Sequence, residues 1–192
     1  WAQAAKPAAA APARPKLLLM IAVDQFRYDY LTRFRKDYNA GLERLLTQGA
    51  VFTNANYEHA PTVTAIGHAT MLTGASPVMS GIVGNDWYER ETGKVTTSVE
   101  DHATEMLGAD GVGASPKRLL VSTVADEIKM AGRGESKTIG VSLKDRSAIL
   151  LPGRMADAAY WFSNEEGKWV TSTWYMKALP KWVADHNASR PA

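Results

Sequence analysis

Five polar residues in this sequence have the side-chain types that the transfer of a phosphoryl group requires: Asp24, Thr64, Asn85, Lys144 and Arg146. A hydroxyl attacks phosphorus once its developing negative charge is stabilised, and a carboxylate can hold the metal ion that provides this stabilisation. An amide and two cations can bind the oxygens of the phosphoryl group. Together these residues predict a phosphoryl-transfer site, provided that the fold brings them to one place.

The segment Pro61–Gly74 (PTVTAIGHATMLTG) predicts a helix that begins next to Thr64 and ends at Gly74. Free backbone N–H groups and the positive end of the helix dipole meet at such an N-terminus, where an alkoxide or a phosphate is stabilised. The simpler alternative is that Thr64 only caps the helix. His68 lies one turn later on the same face and could reach the site, although a packing role explains it more simply.

The apolar run Leu17–Val23 predicts a buried parallel strand, which puts Asp24 at the carboxyl end of that strand. Ligands bind at this edge in open α/β sheets, and the alternative role for Asp24 is to cap the following turn. A predicted helix at Tyr38–Gly49 and a predicted strand at Ala50–Tyr57 follow. The resulting β-α-β-α order indicates an α/β fold with a mostly parallel sheet flanked by helices.

A glycine-containing loop at Ala75–Gly84 leads to Asn85, whose amide could donate to a phosphoryl oxygen or simply belong to a turn. The predicted strand Thr138–Leu143 ends at Lys144. If strand geometry continues past that residue, Lys144 and Arg146 point to the same side and converge on an anion. The alternative is a solvated turn in which the charges pair locally.

Other patterns predict hairpins, a surface loop and further helices in the second half of the chain. The hairpins are expected at Tyr88–Val99 and around Asn164–Gly167, the loop at Glu100–Gly113, and the helices from Ser115-Pro116 to about Met130 and at Leu179–His186. On the last of these helices, Trp182 and Val183 are expected to face inward.

The composition is that of a globular domain and excludes several kinds of chemistry. The chain has 192 residues, 45% of them apolar, and no cysteine, so it has no disulfide, thiolate metal site or cysteine nucleophile. Its net charge of +2 does not imply a polyanionic partner, and no nucleic-acid partner is expected. It contains no apolar run of about 18 residues, so no membrane span is predicted. Residues 1–15 predict a flexible Ala/Pro-rich tail, which fits a mature exported protein after removal of a signal peptide.

Four segments carry a resemblance to a known family. VDQFRYDYL, PTVTAIGHATMLTG, GIVGNDWY and GVSLKDRSAILLPG resemble the alkaline phosphatase superfamily, in particular the phosphate-irrepressible bacterial type with a threonine nucleophile. The resemblance implies that Thr64 becomes phosphorylated, that Asp24 and Thr64 contact one of two zinc ions, and that the phosphoryl oxygens are held by Asn85, Lys144 and Arg146. It also implies a periplasmic or secreted zinc enzyme that hydrolyses small phosphate monoesters.

The metal ligands that such enzymes carry later in the chain cannot be placed here. The dipeptides Asp101-His102 and Asp185-His186 lack the strand-end context that a ligand pair needs. We therefore expect residues 16–192 to be the N-terminal part of the catalytic domain, carrying the nucleophile half of the site and inactive alone. The alternatives are a phosphodiesterase or nucleotide pyrophosphatase of the same superfamily, which Lys144 and Arg146 argue against, and a non-catalytic module that binds phosphate or a partner.

Overall fold

The computed structural model describes residues 15–189, in which seven helices and seven strands follow one another along the chain. The helices are α1 (Tyr30–Arg33), α2 (Gly41–Gln48), α3 (Thr64–Thr73), α4 (Pro77–Ser80), α5 (Val124–Ala131), α6 (Asp145–Leu150) and α7 (Lys181–Ala188), with a 3-10 turn at Arg35–Asp37. The strands are β1 (Asp86–Glu89), β2 (Lys94–Thr97), β3 (Glu100–Leu107), β4 (Val112–Ala114), β5 (Ile139–Ser142), β6 (Ala158–Ser163) and β7 (Lys168–Ser172). The tail predicted at residues 1–15 lies almost entirely outside the described residues.

Five of the strands form one sheet in the order β4-β3-β7-β6-β5, and β1 and β2 form a separate hairpin. Strands β5 and β6 are parallel, with Ile139 opposite Ala158, whereas the other neighbours in the sheet are antiparallel. The α/β fold expected from the sequence is confirmed, and within residues 15–189 the sheet is mixed rather than mostly parallel. The reason is that the local hairpin β6–β7 and the antiparallel strands β3 and β4 extend it on one side.

The core lies where α6 packs between the sheet and α3. Helix α6 contacts β5, β6 and α3, and its residues 147–150 are buried. Gly140 in β5 lies so close to the carbonyl of Ala148 that a Cβ atom there would overlap it. This close approach packs α6 against β5, and because only Leu143 and Lys144 connect the two elements, Lys144 lies near the carboxyl end of β5.

Helix α3 contributes small side chains to the same core. Ala65 and Ala69 are fully buried in the cluster that includes Ile149 of α6 and Val170 of β7. Small residues let two helices approach closely, and the burial of their apolar surface fixes the orientation of α3. Gly74 ends the helix with φ 64°, in the left-handed conformation that glycine adopts without strain. The helix predicted around Thr64 is therefore confirmed.

Several other local predictions are also confirmed. Helix α2 lies within the predicted segment Tyr38–Gly49, β5 within Thr138–Leu143, and the hairpins β1–β2 and β6–β7 form where turn residues predicted them. Helix α7 forms as well, with Val183 buried. The prediction for Trp182 is wrong, because this side chain is 62% exposed.

The predicted strands Leu17–Val23 and Ala50–Tyr57 do not form strands in the structure. Both segments are largely exposed, with Leu17 at 78% and Phe52 at 81%, and the second contains a turn at residues 53–54. A strand needs a neighbour for its backbone N–H and C=O groups, and none of the described strands pairs with either segment. The apolar character of these segments is thus correctly identified, but their pairing is not found among residues 15–189.

Two predictions in the middle of the chain are wrong. The segment Glu100–Gly113 is not a loop but contains β3 and most of β4, because β3 pairs locally with β4 and also with the distant strand β7. The helix expected from Ser115-Pro116 begins only at Val124. Its cap is Thr123, whose side chain accepts from the N–H of Asp126 while the Asp126 carboxylate accepts from the N–H of Thr123.

Within the described part of the chain, no helix combines the length and the apolar composition that crossing a bilayer requires.

Candidate active site

Three of the five candidate residues meet in one cluster. The hydroxyl Oγ1 of Thr64 donates to Oδ2 of Asp24 at 3.0 Å, and Nζ of Lys144 donates to the same oxygen at 2.9 Å. Lys144 Nζ also lies 3.4 Å from Thr64 Oγ1. Asp24 lies 40 positions before Thr64 in sequence, and Lys144 lies 80 positions after it. The fold alone therefore brings a carboxylate, a hydroxyl and a cation together.

Thr64 is the first residue of α3 and does not cap it. The N-cap position belongs to Val63, whose backbone is extended and whose side chain makes no capping bond. The hydroxyl of Thr64 is therefore directed to Asp24 rather than to the backbone of its own helix. The capping alternative for Thr64 is wrong, and the positive end of the helix dipole lies at this hydroxyl.

Asn85 joins the site through the N-terminus of α3. Its Oδ1 accepts from the backbone N–H of Ala65 at 2.9 Å. Because a backbone N–H can only donate, the amide oxygen must face the helix, and the NH₂ group faces away from it as a donor. Asn85 thus satisfies one of the free N–H groups in the first turn of α3, next to Thr64 in sequence.

Arg146 is positioned differently from the expectation. Strand geometry does not continue past Lys144, because α6 begins at Asp145. The Arg146 guanidinium pairs with Asp145 through Nη1 at 3.4 Å. Its Nε is buried and has no hydrogen-bond partner among the described residues. No direct hydrogen bond links Arg146 to Asp24, Thr64, Asn85 or Lys144 within residues 15–189.

The electrostatics of the cluster keep Asp24 ionised. Partial burial raises its pKa, but hydrogen bonds from Lys144 and Thr64 and the positive charge of Lys144 lower it by more, so the pKa lies below the ordinary value of 3.8. Asp24 is therefore a carboxylate throughout the neutral and alkaline range. Its other oxygen, Oδ1, accepts from the backbone N–H of Gln25 at 3.1 Å, which fixes the direction of the carboxylate.

His68 supports Thr64 from within α3. The ring is buried, with 4% exposure, and its Nδ1 lies 2.8 Å from the Thr64 carbonyl. Because a carbonyl can only accept, Nδ1 carries a proton and donates it to the Thr64 carbonyl. A positive charge on His68 also contributes to the lowered pKa of Asp24.

Tyr57 is a neighbour of the site that the sequence did not reveal. Partial burial and the negative charge of Asp24 raise the pKa of its hydroxyl. Its hydroxyl is also close to Gly67 of α3, where a Cβ atom would lie 3.7 Å from it. The only signal in the sequence is an aromatic residue before the Pro61–Gly74 segment, and no periodicity connects it to Thr64.

The described residues do not by themselves fit a zinc ion. Asp24 and Thr64 present two oxygens close enough to reach one cation, whereas zinc takes four ligands. No group of three or more His, Cys, Asp or Glu residues in the described part of the chain is placed to hold a metal. In the two Asp-His dipeptides, Asp101 binds Lys117 and Ser115, and Asp185 binds Lys181.

Comparison with known proteins places this arrangement in a family. Residues 18–190 match the family described as type I phosphodiesterase / nucleotide pyrophosphatase, and the chain belongs to that family. The resemblance to the alkaline phosphatase superfamily is confirmed as well. Alkaline phosphatase PhoV of Synechococcus elongatus is 44% identical over 181 residues, which are 93% of this chain and 33% of PhoV. Alkaline phosphatase PafA of Elizabethkingia meningoseptica is 44% identical over 178 residues, or 91% of this chain and 33% of PafA.

Another relative carries a different name. A protein of Myroides odoratus called a calcium-transporting ATPase is 45% identical over 180 residues, which are 92% of this chain and 33% of that protein. The chain therefore spans about a third of the length of the curated relatives it matches.

Solved structures show the same relationship in three dimensions. The crystal structure of wild-type PafA matches with a TM-score of 0.89 and 44% identity over 93% of this chain and 35% of PafA. A PafA variant matches with a TM-score of 0.83 and 42% identity over 86% of this chain and 33% of the variant. This variant carries substitutions of a threonine, an asparagine, a lysine and an arginine. The first two are 21 positions apart and the last two are two apart, as are Thr64 and Asn85, and Lys144 and Arg146.

Proposed function

We propose that this chain carries the nucleophile-bearing part of a metal-dependent phosphate monoesterase that works through a phosphothreonine at Thr64. The observation that carries the proposal is the hydroxyl of Thr64 at the N-terminus of α3, hydrogen-bonded to Asp24 and adjacent to Lys144. In the proposed reaction, Thr64 Oγ1 forms a bond to phosphorus, the ester P–O bond breaks, and the alcohol leaves. Water then hydrolyses the phosphothreonine, which restores the hydroxyl and releases phosphate.

The developing charge on Thr64 is stabilised by groups that this chain supplies. The hydroxyl proton already points at the Asp24 carboxylate, and the ammonium of Lys144 and the positive end of the α3 dipole lie beside the oxygen. Preorganised charges of this kind lower the energy of an alkoxide-like transition state because they need no reorientation during the reaction.

The phosphoryl oxygens are assigned to Asn85, Lys144 and Arg146. The NH₂ group of Asn85 faces away from α3, and the Nε of Arg146 is a buried donor without a partner in the described residues. Two cations suit a monoester, because its dianion has one more charged oxygen to neutralise than a diester has.

A phosphodiesterase or nucleotide pyrophosphatase activity is the second candidate, since the matched family carries that description. Comparison of the hydrolysis rates of a monoester and a diester by the same preparation separates the two candidates. A non-catalytic phosphate-binding module is the third, and phosphate binding that does not depend on a metal ion would favour it.

Asp24 and Thr64 are the ligands that this chain would contribute to a metal ion, for which zinc is our choice. Such an ion would supply Lewis-acid chemistry at the hydroxyl of Thr64. We place the missing ligands in the two thirds of the relatives that this chain does not span. The chain alone is therefore expected to be inactive, and the whole protein to be periplasmic or secreted.

The test compares this chain with the same protein extended to the length of its relatives. Bound metal and the hydrolysis of p-nitrophenyl phosphate are measured for both. We expect metal binding and turnover from the longer protein and neither from the shorter chain. Sustained turnover by the 192-residue chain would contradict the proposed division of the site.

A further inference from the structure

The hairpin that begins directly after Asn85 is held by the side chain of Arg118. Nη2 of Arg118 donates to Oγ1 of Thr96 in β2 at 2.8 Å, and Nη1 donates to the carbonyl of Glu100. The guanidinium also lies over the ring of Trp87 in β1, 5.8 Å from its centroid. One cation therefore contacts both strands of the hairpin and the start of β3.

This contact is largely shielded from solvent and carries a further charge pair. The side chain of Arg118 is 17% exposed, and its Nη2 lies 3.7 Å from a carboxylate oxygen of Glu89 in β1. Interactions of a partly buried guanidinium are screened less than those of surface pairs, and its planar group can bind several acceptors at fixed angles. The hairpin is thus fastened at defined positions rather than by loose surface contacts.

The residues that precede Asn85 pack against the segment that contains Arg118. Gly81, with φ 78°, packs against the Arg118 carbonyl so closely that a Cβ atom would lie 2.8 Å from it. The N–H of Leu120 donates to the carbonyl of Ser80 at 2.9 Å. Ile82, between these contacts and Asn85, is fully buried.

Asn85 is therefore fixed between two anchors that both come from the segment around Arg118. At its own position the carbonyl accepts from the N–H of Ser98 at 2.9 Å, and the amide oxygen accepts from the N–H of Ala65. We propose that Arg118 is a positioning residue that sets the distance of the Asn85 amide from Thr64. This inference rests on the proposed function, in which Asn85 binds a phosphoryl oxygen.

The test is a double-mutant cycle in the protein extended to the length of its relatives. The variants are Arg118→Met, which keeps the apolar stem, Asn85→Ala and the pair together, with kcat/KM measured for p-nitrophenyl phosphate. We expect Arg118→Met to lower kcat/KM by roughly tenfold to a hundredfold, since small displacements of a binding group cost rate on that order. In the Asn85→Ala background, Arg118→Met should leave kcat/KM almost unchanged.

Three further variants keep the inference falsifiable. Arg118→Lys should recover only part of the loss, because lysine cannot reproduce the planar contacts. Thr96→Val removes one bond to Arg118 with little change of volume and should give a smaller loss with the same dependence on Asn85. Arg90→Met, at an exposed position in the turn of the same hairpin, is the matched control and should leave kcat/KM unchanged.

The outcomes distinguish this inference from the proposed function. If Asn85→Ala is impaired and the losses for Arg118→Met and Asn85→Ala multiply in the double variant, Arg118 does not act through Asn85 and the inference is overturned. If Asn85→Ala leaves kcat/KM unchanged, the role proposed for Asn85 itself is contradicted.

Discussion

The hydroxyl of Thr64 donates a hydrogen bond to the Asp24 carboxylate at 3.0 Å, although the two residues are 40 positions apart. Asp24 follows the segment Leu17–Val23, which pairs with none of the described strands, and Thr64 begins a helix anchored in the core. Lys144, which follows β5, binds the same carboxylate oxygen at 2.9 Å. Thr64 is a candidate nucleophile because its hydroxyl does not cap the helix and instead donates to Asp24.

The contribution of Arg146 can be measured by comparing how its substitution affects monoester and diester hydrolysis. In the longer protein, Arg146→Ala should reduce monoester hydrolysis by roughly tenfold to a hundredfold, the range expected for loss of a charge-assisted hydrogen bond. Hydrolysis of a diester should fall less, because a diester has one charged oxygen fewer. Rates with p-nitrophenyl phosphate and bis-p-nitrophenyl phosphate measure the difference. Lys177→Ala, at an exposed position, is the control, and an equal loss of both activities would contradict the role of Arg146.

Among the described strands β5 forms one edge of the sheet, and this edge predicts self-association of the chain in its present length. Val141 in this strand is exposed, as are the apolar side chains of the segment Leu17–Val23. An unpaired apolar strand edge pairs readily with another chain. Val141→Lys should therefore shift the chain towards monomer in light scattering, whereas Val78→Lys, on the exposed face of α4, should not. An unchanged mass distribution with Val141→Lys would exclude this edge as the contact surface.

In the longer protein, the same substitution should instead lower stability. There we expect β5 to have a neighbour, so that Val141→Lys introduces a charge into a packed sheet and lowers the midpoint of unfolding in urea. A midpoint equal to that of the unsubstituted longer protein would show that the edge of β5 stays open.

Acid should destabilise the fold through Asp101. Burial raises the pKa of this carboxyl, but hydrogen bonds from Lys117, Ser115 and the N–H of Ala103 outweigh burial and hold the pKa below its ordinary value of 3.8. The unfolded chain therefore binds more protons at acid pH than the folded chain. The contribution of Asp101 to the free energy of unfolding is complete above the ordinary carboxyl pKa and is lost as the pH falls through the lowered one.

Urea unfolding between about pH 2.5 and 6 measures this dependence. Asp101→Asn should lower stability at pH 6 and flatten the loss towards acid pH. Asp110→Asn, at an exposed position, should leave the profile unchanged. A profile for Asp101→Asn as steep as that of the unsubstituted chain would contradict the assignment.

Elements specified by neighbouring residues could be predicted from the sequence. The helix around Thr64 has its stop signal at Gly74, and the hairpin β1–β2 has its turn residues between its strands, so the sequence predicts both. Leu17–Val23 carries the apolar signal of a strand but depends on distant pairing, which the described residues do not supply. Strand β3 shows the converse case. Its polar sequence does not predict a strand, but β4 and β7 supply the partners that make it one.

The candidate site shows the same division. Asp24, Thr64 and Lys144 could be named because each stands at the end of a predicted element, and the structure brings them together. The bond from Ala65 to Asn85 could not be predicted, since it depends on how the hairpin packs against α3. The roles of Tyr57 and Arg118 could not be predicted either, because only tertiary contacts link them to the residues around Thr64 and Asn85.

The most direct test of the central claim is the identification of the phosphorylated residue. The longer protein is mixed with a phosphate monoester, quenched in acid during turnover, digested and analysed by mass spectrometry. We expect phosphate on Thr64, no phosphate at this peptide in Thr64→Ala, and an unchanged result in Thr62→Ala, a neighbouring threonine with an exposed side chain. Undiminished turnover by Thr64→Ala, or phosphate on a different residue of an active enzyme, would contradict the assignment of Thr64 as the nucleophile.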